Sequence, residues 1–190
     1  MSSIEKKRQT QIRVNCALLI ALQIIFTRFL AIQLPAIRIS FAFVPLALTG
    51  ILYGPVYGFW VGMVADVLGM ILFSTGGYHP GFTLVTALSG MVYGWMLHQK
   101  DGEERWNNSK VICRSVIAAC IVNLVFEMGL NTLWLTQILS KGYLALLPAR
   151  AVKQMVMVVV QILMLPIIKN TLAVRLIRLQ SHITVNGKKQ

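Results

Sequence analysis

The residues best suited to chemistry are few, and most sit in apolar surroundings. Arg28 lies near the end of one apolar run and Arg38 in the loop after it; Arg150 and Lys153 open another run. An ionisable side chain at membrane depth costs ~2.5–3.5 kcal/mol on insertion scales, so it usually faces a cavity or a partner. Asp66 and Glu127 are the only acids within apolar segments, and no acid reads as lying beside the four cations. Unpaired cations around a cavity would bind an anionic solute, with Arg suited to bidentate contact. The plainer reading is that Arg28 and Arg150 snorkel to lipid phosphates. Asp66 and Glu127 suit either proton coupling or hydrogen bonds between helices.

Two further segments combine polar and flat side chains. Gly76-Gly77-Tyr78-His79-Pro80-Gly81-Phe82 is rich in turn-forming residues. It reads as a tight connection or as a lid over a ligand, because glycine permits close backbone approach. Asn131 and Trp134 are three apart and share a helix face. Together they suit hydrogen bonding and stacking of a flat heterocycle, as polar groups do in apolar pockets. No Gly-x-x-x-x-Gly-Lys-Ser/Thr loop, His-Glu-x-x-His pair or Ser/His/Asp set is present, and His79, His98 and His182 are isolated. The sequence therefore predicts no metal site, no ATP hydrolysis by this chain and no enzyme. Cys16, Cys113 and Cys120 have no disulfide spacing and read as small buried apolar residues.

The elements that position these residues follow from composition. Of 190 residues, 56% are hydrophobic and 13% charged, and mean hydropathy is +0.69. That charge content is about half that of a soluble domain, and the apolar content excludes disorder. A formal charge of +12 invites a nucleic-acid reading, but the dense basic face such binders carry is missing. The expected class is an all-α integral membrane protein, one domain over 1–190, with six transmembrane helices near 12–32, 41–53, 56–73, 82–98, 111–139 and 148–179. Pro148 is expected at the first helical position of the sixth span. Six spans place both termini on one side. Thirteen of the eighteen Lys and Arg residues fall on that side, which makes it cytoplasmic by the positive-inside rule. Gly58, Gly62, Ala65 and Gly69 on the third span, and Ala87, Gly90 and Gly94 on the fourth, form stripes that let helices approach closely. Ala17 and Ala21 form a weaker pair on the first.

The chain resembles the substrate-binding S component of energy-coupling factor (ECF) vitamin transporters, folate branch. The resemblance rests on Arg38-Ile-Ser-Phe-Ala-Phe-Val-Pro-Leu, Leu-Tyr-Gly-Pro-Val-Tyr-Gly, Val-Ala-Asp66-Val-Leu-Gly, Gly77-Tyr-His-Pro-Gly-Phe-Thr-Leu, Leu-Ser-Gly90-Met-Val-Tyr-Gly94, Leu130-Asn-Thr-Leu-Trp-Leu and Leu147-Pro-Ala-Arg150-Ala-Val-Lys-Gln154. It implies an S-component fold in a bacterial plasma membrane, binding folate from outside. It also implies partnership with a transmembrane coupling subunit and two cytoplasmic ATPase subunits that hydrolyse ATP, while this chain binds no cofactor and no nucleic acid. Ala17 and Ala21 match the family's docking patch for the coupling subunit, and the family topples in the membrane to deliver its ligand. Loops 34–40 and 76–82 take the lid role. The implied ligand set is Arg28, Arg38, Gly76, Gly77, Tyr78, His79, Phe82, Thr83, Asn131, Trp134, Arg150, Lys153 and Gln154. Within it, Arg28, Arg38 or Arg150 (with Lys153 near) would meet the glutamate carboxylates, and Asn131, Trp134 and Gln154 the pterin. Pantothenate is the alternative vitamin, and a small ion-coupled carrier the alternative class; the chain is short for the usual paired-repeat carrier.

Overall fold

A computed structural model describes residues 3–33, 38–73, 79–99, 106–139 and 142–173. Six helical rods follow one another. They are α1 (Ser3–Arg28), α2 (Phe43–Tyr53), α3 (Pro55–Leu72) and α4 (Pro80–Leu97), then two composite rods. The first composite joins α5 (Asn108–Cys120), a π-helical stretch (Ile121–Leu130) and α6 (Asn131–Leu139); the second joins α7 (Tyr143–Ile167) to a π-helical end (Ile168–Ala173). The expectation of helices alone needs one addition. Strands β1 (Ile32–Gln33) and β2 (Arg38–Ile39) form a short antiparallel ladder after α1, pairing Ile32 with Ile39 and Gln33 with Arg38.

Several expected boundaries shift for local reasons. The first helix begins at Ser3 rather than 12, because the polar segment with Lys6, Lys7 and Arg8 continues the helix as an exposed extension. Pro148 lies inside α7 rather than at its start. Gly54 has φ 91°, a conformation that favours glycine, and Pro55 opens α3; this pair turns α2 directly into α3. Cys16 is buried as expected, whereas Cys113 is exposed on α5.

Glycine decides the central packing. The buried face of α3 is Gly58, Val61, Gly62, Ala65 and Gly69, and it lies against α4. A Cβ on Gly58 would strike the Gly90 carbonyl, and one on Gly90 would strike the Gly58 carbonyl. Gly50 of α2 meets the Gly94 backbone in the same way. α4 is thus covered by α2, α3 and the first composite rod. The small-residue stripes are internal contacts, as read from the sequence.

Among the described residues, four helices are long and apolar enough to cross a membrane: Glu5–Arg28, Pro55–Leu72, Asn108–Ile138 and Leu146–Thr171. At ~1.5 Å per residue, the 11 residues of α2 reach about 16 Å, short of a ~30 Å hydrocarbon core. α4 needs less lipid-facing surface because its neighbours cover it.

The two ends of the bundle carry different chemistry. At one end, Lys169 donates to the Leu97 carbonyl at 2.7 Å and Arg114 to the Met96 carbonyl at 3.2 Å, and both lie over the Trp106 ring. These cations satisfy carbonyls that the end of α4 leaves open. Between the ends, Gln161 Oε1 accepts from Tyr93 and from Asn123, each at 2.9 Å, tying α4, the π-helical stretch and α7 together. Arg28, Arg150 and Lys153 lie at the opposite end.

Candidate ligand-binding site

α4 begins at His79, whose Nδ1 accepts the Gly81 N–H at 3.0 Å as an N-cap, with Pro80 following it. Accepting at Nδ1 leaves Nε2 as the ring's donor. The capped ring stacks on Trp134 of α6 at 4.8 Å between centroids and 21° between planes. Gly81 permits this, because a Cβ there would sit 2.5 Å from three indole atoms. Phe82 meets His79 edge-on at 6.2 Å. Gly81→Ala is therefore expected to displace Trp134 and to lower stability by about 1–3 kcal/mol. Tryptophan fluorescence and melting of the variant test this; wild-type values in both would show that the contact can relax.

α7 carries Arg150, Lys153 and Gln154, and the first two reach the first composite rod. Lys153 Nζ lies 3.3 Å and Arg150 Nη2 3.9 Å from Glu127 Oε2. Arg150 also donates to the Glu127 carbonyl at 3.0 Å, and Asn131 donates to Oε2 at 3.0 Å. Two of the four cations thus have an acidic partner, which corrects the expectation that none was near. Glu127 lies in the π-helical stretch, where the Asn131 N–H reaches back five residues to the Phe126 carbonyl. Such winding is rare and is frequent at functional sites.

The remaining candidates divide. Thr83 donates to Asp66 Oδ2 at 2.7 Å, a hydrogen bond between α4 and α3. Arg28, in the last turn of α1, lies against Gly69 of α3, where a Cβ would be 3.3 Å from its Nε. Ala17 and Ala21 are both exposed on α1, in line with Val14, Leu18 and Ile25. Arg38 occupies β2, but its side chain, together with Gly76, Gly77 and Tyr78, lies outside the described residues.

Several buried polar atoms in this region have no hydrogen-bond partner among the described residues. They include Trp134 Nε1, Thr132 Oγ1, and both Oε1 and Nε2 of Gln154, whose residue is 1% exposed. Each costs about 1–3 kcal/mol when unsatisfied, so the site stores hydrogen-bonding capacity beside a stacked aromatic pair. Sequence reasoning missed Thr132 and also Gln23 of α1, whose Oε1 is similarly unpartnered. For Thr132 the available signal was its place inside Asn131-Thr132-Leu133-Trp134.

Residues 7–171 match the family described as ECF-type riboflavin transporter, S component. The chain belongs to the ECF S-component family. The family is a transporter component, not an enzyme, and its apolar helices make this chain a membrane protein. The S component is similar to the folate transporter FolT of Clostridium novyi (strain NT), with 35% identity over 150 residues, 79% of this chain and 83% of that protein. It is 27% identical to FolT of Leuconostoc mesenteroides subsp. mesenteroides over 161 residues, covering 82% and 83% of the two. Its fold matches a crystal structure of FolT bound with folic acid, with TM-score 0.73 and 31% identity over 83% of this chain and 93% of that one.

Proposed function

We propose that this S component binds folate and presents it to an ATP-driven import complex. The observation that carries the reading is the convergence of a stacked His79–Trp134 pair with buried, unpartnered donors and acceptors. The fold is also that of a FolT bound with folic acid. A pterin is flat and carries both donors and acceptors, which suits Trp134, Gln154 and the Nε2 of His79. The glutamate tail carries two carboxylates, and these suit Arg28, with Arg38 contributing from β2.

The six-rod bundle spans the bilayer as one domain, α2 reaching only part of the way across, with both termini in the cytoplasm of a bacterial plasma membrane. The segregation of Lys110, Arg114 and Lys169 around Trp106 supports that sidedness. Ala17 and Ala21 form the docking patch for a transmembrane coupling subunit, which their exposure on α1 supports. Two ATPase subunits hydrolyse ATP, and this chain contributes binding alone. The lid role falls to loops 34–40 and 76–82, of which 34–37 and 76–78 lie outside the described residues.

The test is thermal stabilisation of the purified protein by a panel of vitamins, since a ligand of the folded state adds about 2.7 kcal/mol at 100 times its Kd. Folate is expected to raise the midpoint, while thiamine and pantothenate leave it unchanged. The match to the riboflavin-transporter S-component family makes riboflavin the competitor; stabilisation by riboflavin without folate overturns the reading. Uptake in cells is expected to stop when the ATPase subunits are deleted.

A further inference from the structure

We propose that Glu127 is a specificity-determining residue that accepts a hydrogen bond from the 2-amino edge of the ligand's pteridine; this rests on the folate reading above. Among the described residues, every contact of its carboxylate goes to one oxygen. Oε2 takes Lys153 at 3.3 Å, Asn131 at 3.0 Å and Arg150 at 3.9 Å. Oε1 has no partner among the described residues. The carboxylate faces the interior and not lipid, because its α7 partners Arg150 and Lys153 have side chains only 6% and 11% exposed. The Glu127 side chain itself is 28% exposed, so the carboxylate is not sealed off by its partners.

Charge and chemistry decide what that solute end must be. The cluster holds two cations and one carboxylate. Two ligand carboxylates placed here would set three anions against two cations, with Glu127 repelling both. A neutral edge with N–H donors meets no such repulsion. The 2-amino-4-oxo edge of a pterin presents the N3–H and the 2-amino group side by side, and both donate to a carboxylate oxygen. The nearby buried atoms complete the match: Gln154 Nε2 and Trp134 Nε1 are donors without partners, suited to the ring's carbonyl and nitrogen acceptors. A flavin's pyrimidine edge instead places a carbonyl oxygen on each side of one N–H. A carboxylate opposite those oxygens is repelled, so the same residue that favours a pterin rejects a flavin. Lys153, Arg150 and Asn131 act as positioning residues that hold Oε2 and thereby aim Oε1.

The test compares folate with an analogue carrying methyl in place of the 2-amino group, with Kd measured by calorimetry on the full chain in detergent. A site built to pair a polar group rejects the unpaired analogue strongly, so wild type is expected to prefer folate by roughly 100-fold or more. Glu127→Gln is expected to reduce that ratio to within roughly 5-fold and to admit riboflavin more readily. Glu127→Gln with Lys153→Met keeps the net charge of the cluster and is expected to behave alike if the single variant does not fold. A wild-type ratio near one overturns the proposal without any variant, and so does an unchanged ratio in either variant. Wild type that binds no folate overturns the folate reading and this proposal with it, whereas folate binding with an unmoved ratio overturns this proposal alone.

Discussion

Gly90→Leu is expected to yield protein that does not hold α3 against α4 and fails to elute as a single folded species in detergent. The side chain would enter at the point where the two helices touch backbone to backbone. A Cβ on either Gly58 or Gly90 meets the other's carbonyl. Overpacking a core costs about 1–3 kcal/mol when neighbouring side chains can shift. Here the neighbour is a helix backbone, so the helices must separate, and the loss is expected to exceed ~3 kcal/mol. Separation would also break the Thr83–Asp66 hydrogen bond further along the same interface. Gly142→Ala is the control, because nothing lies within 4 Å of a Cβ there; its melting is expected to match wild type within ~0.5 kcal/mol. A Gly90→Leu protein that melts with wild type would show that α3 and α4 can part without loss.

The legible parts of this fold are those governed by helical period and by backbone sterics. Gly58, Gly62, Ala65 and Gly69 repeat at the period of one helix face, and in a bilayer close packing is what such a face is for. Gly54-Pro55 marked a turn because one residue needs a positive φ and the next opens a helix. What stayed hidden depends on the rotation of one helix against another. Glu127 and Arg150 are 23 residues apart, and their meeting requires the π-helical winding of 121–130, which no proline or glycine pattern announced. Counting charge by side therefore left Arg150 and Lys153 without a partner, since Glu127 read as mid-span. The helical extension through Lys6, Lys7 and Arg8 was hidden for the opposite reason: an apolar-run criterion cannot see a helix continuing into water.

The same pairing changes what the arginines are expected to do, and a two-ligand comparison separates them. Arg150→Met removes the group that donates to the Glu127 carbonyl at 3.0 Å and flanks its carboxylate. Truncating one partner of a buried, hydrogen-bonded charge pair costs about 2–5 kcal/mol. That corresponds to roughly 30-fold or more in affinity. Because the loss acts through Glu127 at the pterin end, it is expected to fall equally on folate and on pteroic acid, which lacks the glutamate. Arg28 lies on α1 against Gly69 of α3. Arg28→Ala is expected to weaken folate and leave pteroic acid nearly unchanged, because only the tail's carboxylates need it. The charge on each arginine is the same; its place in the bundle decides which part of the ligand it serves. Calorimetric titration of both variants with both ligands measures this. If Arg150→Met penalised folate alone and spared pteroic acid, the glutamate tail would lie at Arg150, and Glu127 would be its competitor instead of the pterin's acceptor.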